Sequence, residues 1–208
     1  MNSVKDIVSI LEEKKSSILL KDAKDLTDEK LVEQIKGSQN QLYFGVIYER
    51  YHKKVYQKCF SFVKSEDEAE DLTQEVFIKL YHKINGFEGR AKFSTWLFVF
   101  TYNFCVNYIS RDKEKKVSSI ADRIKNKEYK ISSEESELDE DFFEIKLSKL
   151  EKALEMINPE EKAILMLKYH DNVSIKELQT LFGINESALK MRLKRARIRA
   201  VEAHNKIA

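Results

Sequence analysis

The residues with the plainest chemical purpose lie near the end of the chain. Leu189, Leu193 and Ala196 recur at helical spacing and define one apolar face. Lys190, Arg192, Lys194, Arg195, Arg197 and Arg199 occupy the remainder of that helix. Such side chains neutralise backbone phosphates and fork onto guanine edges in a major groove. Ser187, in the first turn, stands where a phosphate meets free helix amides. Charge alone favours a solvated basic helix on an ordinary bundle, so the flanking residues decide. Ser174 and Glu177 have capping-box spacing and open a short helix whose apolar side is Ile175, Leu178, Leu181 and Phe182. Gly183 stands where a left-handed residue is needed, Ile184 can plug the turn, and Asn185 can cap the helix that follows. Two short helices joined through such a turn form a helix-turn-helix, and with a cationic second helix it points to duplex DNA.

A second constellation has the opposite sign. Asp67, Glu70, Asp71, Gln74 and Glu75 share a helix with the apolar stripe Ala69, Leu72, Val76 and Leu80. Nucleic acid would be repelled by this face, so it is either solvated or set against a basic protein surface. No phosphate-cradling glycine run, metal cluster or nucleophile–base pair accompanies it, so no enzyme, cofactor, metal or small-molecule substrate is expected. Cys59 and Cys105 form no CxxC and read as buried thiols of a reducing cytosol. Neither a signal peptide nor a membrane-length apolar run is present, so a cytoplasmic protein without membrane insertion is expected.

The elements that must carry these residues are helices. Five glycines and one proline in 208 residues disfavour sheets with tight turns. Residues 1–27 read as an extension, a weak helix or a mobile arm. Helices are expected at 28–36 and 39–63, and one opening at the capping box Ser65–Glu68 and ending near Gly86. Another, capped by Ser94, runs to about residue 113. Within it Trp96, Phe98, Phe100, Phe104 and Tyr108 read as core packing, and Phe93 serves equally as core or as a base-stacking residue. Seven acids and no base fall in 132–144, whereas 184–208 holds seven Lys/Arg against two Glu. Charge segregated this way assigns separate partners to separate segments. Residues 113–144 therefore read as a flexible acidic linker, the alternative being an acidic helix of a continuous bundle. A second domain follows over 145–208, with Asn158 and Pro159 starting one of its helices. The expected fold is all-α, two small helical domains: 28–112 and 145–208.

The stretch Ala69-Glu70-Asp71-Leu72-Thr73-Gln74-Glu75-Val76-Phe77 resembles the polymerase-binding signature of the extracytoplasmic-function (ECF) sigma factors, within the sigma-70 family. Phe87-Glu88-Gly89 and Phe93-Ser94-Thr95-Trp96-Leu97 resemble the family's stretch for promoter opening and -10 recognition. Residues 187–197 resemble its -35 reading helix. The resemblance covers about residues 29–112 and 145–202. It departs at Ser38, Asn107, Ser110, Asp112 and Ala188, where the family commonly has other residues. It implies a non-enzymatic factor that carries core RNA polymerase to promoter DNA, region 2 lying in 28–112 and region 4 in 145–208. It assigns polymerase binding to Asp71, Gln74 and Glu75, with Val76 and Phe77 as apolar support. It assigns -10 contacts to Arg90, Lys92, Phe93, Ser94, Asn103, Asn107 and Arg111. The -35 contacts fall to Ser187, Lys190, Met191, Arg192, Lys194, Arg195 and Arg197. An anti-sigma factor is a common partner in the family. The acidic linker, which resembles a nucleic-acid backbone in charge, would suit the basic channel of a polymerase. The competing reading is a helix-turn-helix regulator that does not bind core polymerase.

Overall fold

The computed structural model describes residues 21–38, 41–117 and 147–207, and among these there is no strand. The fold is all-α, in two helical domains. The first holds α1 (Asp28–Ser38), α2 (Gln41–Val63), α3 (Glu66–Lys83) with a tight turn at Ile84–Gly86, and α4 (Phe93–Val117). The second holds α5 (Leu147–Met156), α6 (Pro159–Leu165) widening at Met166–His170, α7 (Ile175–Phe182) and α8 (Glu186–Asn205). Residues 118–144 of the expected linker and most of the N-terminal extension lie outside the described residues. The end of the extension does not: Ala23 is buried against the first core, and the carbonyls of Lys24 and Leu26 accept hydrogen bonds from Arg50.

The first core gathers Leu31, Ile47, Val55, Leu72, Leu80 and Leu97 from all four helices. Each such side chain taken out of water contributes about 1.5–3 kcal/mol. Cys59 and Cys105 meet there with sulfurs 3.9 Å apart. The capping box expected at α3 is half made. The Ser65 hydroxyl accepts the Glu68 amide at 3.4 Å, but the Glu68 carboxylate turns away to accept the Tyr108 hydroxyl at 2.7 Å. That contact ties the start of α3 to α4.

α4 is apolar on two sides because it serves two cores. Leu97 and Cys105 face the first; Val99, Tyr102 and Val106 enter the second with Ile164, Leu167, Leu178 and Leu193. Ser94 does not cap α4 as expected. The helix starts two residues earlier than expected, and the Phe93 amide donates to the Glu29 carboxylate of α1 at 3.1 Å. A carboxylate from a neighbouring helix thus satisfies one of the free amides of the first turn, while the Trp96 amide donates to the Lys92 carbonyl at 3.1 Å. α4 also runs to Val117, past its expected end near residue 113.

Candidate nucleic-acid interface

Three surfaces carry the predicted residues. The first is the exposed ridge of α3, where Asp71, Gln74 and Glu75 point to solvent. Val76 and Phe77 do not share that exposure, at 0% and 4%. They support the ridge from within, Phe77 setting its ring edge against Tyr48 at 4.7 Å. Beside Gln74 runs a shallow groove lined by Phe44, Tyr48, Phe77, Ile78 and Tyr81. Ile78, 60% exposed, was missed in the sequence, although it is apolar and off the buried stripe of its helix.

The second surface follows α4. Asn103, Asn107 and Arg111 are exposed and share a cleft of about 350 Å³ with Lys79 and Lys83 of α3 and with Phe100 and Phe104. Lys79 lies over the Phe104 ring at 4.6 Å. The two lysines were missed; their four-residue spacing on α3, following Glu75, which also lines the cleft, was the available signal. The cleft thus combines cations, amides and aromatic rings, the set that suits an unpaired strand. Arg90 and Lys92 stand exposed on the preceding loop, Arg90 paired with Glu88. Ser94 is half-buried. Phe93 is a correction: it is 0% exposed, edge-on to Tyr51 at 5.8 Å and to Phe87 at 5.5 Å. The early start of α4 turns this ring inward, where it cannot reach a base. Trp96 packs between Phe87 and Phe100, in line with the core reading.

The third surface is the helix-turn-helix. Ser174 and Glu177 make the complete capping box. Burial raises the Glu177 pKa, but hydrogen bonds from Ser174 and Thr95 outweigh it and hold the carboxyl below its ordinary range. Gly183 is left-handed at φ 65°, and Asn185 accepts the Ala188 amide at 2.8 Å. Ile184 packs against the second core as the turn plug. This geometry divides the cations of α8 between two sides. Ser187, Lys190, Met191, Lys194 and Arg197 line one cleft with Lys168 and Tyr169. Arg192, Arg195 and Arg199 line another, facing Asn103 and Asn107 of α4. Arg197 donates to the Tyr169 hydroxyl at 3.0 Å, and Arg199 pairs with Glu161.

The profile of Sigma-70 region 2 matches residues 47–115, and that of Sigma-70, region 4 matches residues 147–199. Together they span more than half of the chain. Among curated relatives, the ECF RNA polymerase sigma factor SigW of Bacillus subtilis (strain 168) is 29% identical over 173 residues, 81% of this chain and 91% of its own. The chain belongs to the ECF subfamily of the sigma-70 factors. The ECF RNA polymerase sigma-E factor of Escherichia coli (strain K12) is 28% identical over 184 residues, covering 84% of this chain and 93% of its own. This sigma factor shares its fold with two solved structures. One is the sigma factor RpoE in complex with the anti-sigma factor NepR from Bartonella quintana, with TM-score 0.53, 21% identity, and 79% and 98% of the two chains covered. The other is CnrH in complex with the cytosolic domain of CnrY, with TM-score 0.55, 19% identity, and 87% and 99% covered. The protein is an RNA polymerase sigma factor, and the reading as a polymerase-independent regulator falls away.

Proposed function

We propose that this sigma factor docks on core polymerase through the α3 ridge of Asp71, Gln74 and Glu75, with the neighbouring apolar groove as part of the contact. The observation that carries the assignment is the exposure of those three side chains over a fully buried support, within the segment matched by region 2. Acid on the ridge selects a cationic protein surface and repels DNA. The cleft of Asn103, Asn107, Arg111, Lys79 and Lys83 receives the separated -10 strand, with Arg90 and Lys92 on flanking phosphates. The helix α8 reads the -35 duplex through Lys190, Arg192, Lys194 and Arg195, Ser187 meeting a phosphate at its N-terminal turn. Each good base contact contributes about 1–3 kcal/mol of discrimination. The factor itself catalyses no reaction and acts in the cytoplasm; no described helix is long and apolar enough to cross a membrane. An anti-sigma protein is its regulatory partner, as for the two structural relatives.

Run-off transcription with purified core polymerase on genomic fragments tests the reading. Asp71→Ala with Gln74→Ala is expected to abolish core binding and transcription. Arg195→Ala is expected to weaken use of -35-dependent promoters and leave core binding intact. A purified chain that neither binds core enzyme nor directs a specific transcript overturns the assignment.

A further inference from the structure

The first core holds two nucleophiles that none of the three surfaces uses. Cys59 of α2 and Cys105 of α4 are the only two cysteines of the chain, and both are 0% exposed. They lie 46 positions apart in sequence, yet their sulfurs stand 3.9 Å apart, with the Cys105 thiol donating to Cys59. Both belong to the apolar cluster that also holds Leu72, Val76 and Leu97. A buried thiol by itself is a small apolar group. Two that meet from different helices are also a cross-link in waiting: a disulfide needs about 2.0 Å between sulfurs, so the pair must close by about 2 Å.

The two thiols are not equivalent. The hydrogen bond from Cys105 holds the Cys59 thiol below its ordinary range, against the opposite effect of burial. Cys105, as the donor in that bond and by its burial, is pushed up. The thiolate is the nucleophile, so Cys59 is the attacking sulfur and Cys105 the resolving one. The surroundings select the oxidant. Apolar walls and complete burial exclude a charged or bulky one such as glutathione disulfide. A small uncharged hydroperoxide is admitted by local fluctuations of the domain.

We propose that Cys59 and Cys105 form a modification site, at which a hydroperoxide converts the dithiol to an intramolecular disulfide that staples α2 to α4. The Cys59 sulfur attacks one oxygen of hydrogen peroxide, and the O–O bond breaks. The leaving oxygen takes the Cys59 proton and departs as water, which makes Cys59 a sulfenic acid. The Cys105 sulfur then attacks the Cys59 sulfur, the S–O bond breaks, and hydroxide leaves with the Cys105 proton as a second water. The two thiols lose two electrons and the peroxide gains both. With the resolving thiol 3.9 Å away, the sulfenic acid is captured before a second peroxide reaches it. The closed loop encloses all of α3. Bridging it removes conformational freedom from the unfolded chain, so the oxidised first domain resists unfolding.

The test treats the full, reduced chain with hydrogen peroxide, quenches it with acid and alkylates it after denaturation. The intact mass is expected to fall by two hydrogens, with the peptides of Cys59 and Cys105 joined and no dimer formed. Cys105→Ala should leave Cys59 as a sulfenic acid that dimedone traps, and Cys59→Ala should leave Cys105 unoxidised. The mass of the wild-type chain decides the bridge even where an alanine variant fails to fold. The thermal midpoint of the oxidised chain should rise by about 5 °C or more, and dithiothreitol should return it. A bulky maleimide applied in parallel to the folded chain should label neither thiol. Two free thiols after peroxide, a bridge between chains, sulfinic acid in place of the disulfide, or a midpoint that does not rise overturns the proposal. Maleimide labelling as fast as peroxide oxidation also overturns it, because both reagents then meet an unfolded chain. None of these readouts involves polymerase or DNA, so their failure leaves the site assignments above untouched.

Discussion

Lys162 shows how a single residue reports on the contact between domains. It is 7% exposed, its ammonium sits 4.9 Å from the Phe62 ring centre, and burial lowers its pKa to about 8. Lys64 pushes the same way; Glu155 and Glu151 oppose. The unfolded chain keeps the ordinary value, so between about pH 8 and the usual lysine range the unfolded state binds more protons. The native state should therefore gain stability as pH rises through that window. Thermal melts of wild type and Lys162→Met across pH 7.5 to about 10.5 should show the wild type gaining relative to the variant. A constant difference would show that Lys162 is not desolvated. Lys58 is shifted in the same direction by burial, against the pull of Asp171. Because that pair is enclosed, Lys58→Met should destabilise the fold by about 3 kcal/mol in urea, leaving the Asp171 carboxylate with only His170 at 3.0 Å and the Tyr102 hydroxyl beside it.

At the scale of the element, the helix-turn-helix depends on local backbone chemistry. Gly183 has φ 65°, and an added Cβ would meet nothing within 4 Å. Gly183→Ala should therefore cost only the conformational penalty, about 1–2 kcal/mol, without a steric clash. Asn185→Ala removes the cap of α8 and should cost about 1 kcal/mol. Equilibrium unfolding checks both, and a much larger loss for Gly183→Ala would reveal crowding absent from this structure. On α3, Lys79→Ala with Lys83→Ala should weaken binding of holoenzyme to single-stranded -10 DNA and shallow its salt dependence by about 1–2 in log–log slope, with core binding unchanged. An unchanged slope would remove both lysines from the strand's path. Phe93 belongs here too, because the start of a helix, two residues earlier than expected, decides whether its ring faces base or core.

At the scale of the molecule, α4 is the shared wall of two cores. Tyr102 is 0% exposed and meets Phe62 at 5.9 Å, within 3.5 Å of the Lys58 ammonium at its hydroxyl. Tyr102→Ala should cost about 3 kcal/mol or more. It should also lower hydrogen-exchange protection in α6 as well as in α4, since both walls lose the same support. Loss confined to α4 would mean that the two domains do not stabilise each other. This coupling also explains why so aromatic a helix carries polar readers only along Asn103, Asn107 and Arg111. Two of its sides are already committed to packing.

Much of the molecule was written locally. The helices follow from apolar repeats and scarce glycine. The turn of the DNA-reading motif follows from Ser174, Glu177, Gly183 and Asn185, each acting on backbone within a few residues. The acid of α3 and the cations of α8 are likewise visible along the chain, since charge does not depend on packing. Tertiary structure decided what depends on distant partners. Glu29 took up the Phe93 amide at the early start of α4, and Tyr108 drew Glu68 out of its capping box. Lys79 and Lys83 joined the asparagines of α4 only because α3 packs beside it. The ion pair of Lys58 with Asp171 spans more than a hundred residues, and no local periodicity encodes a contact of that range.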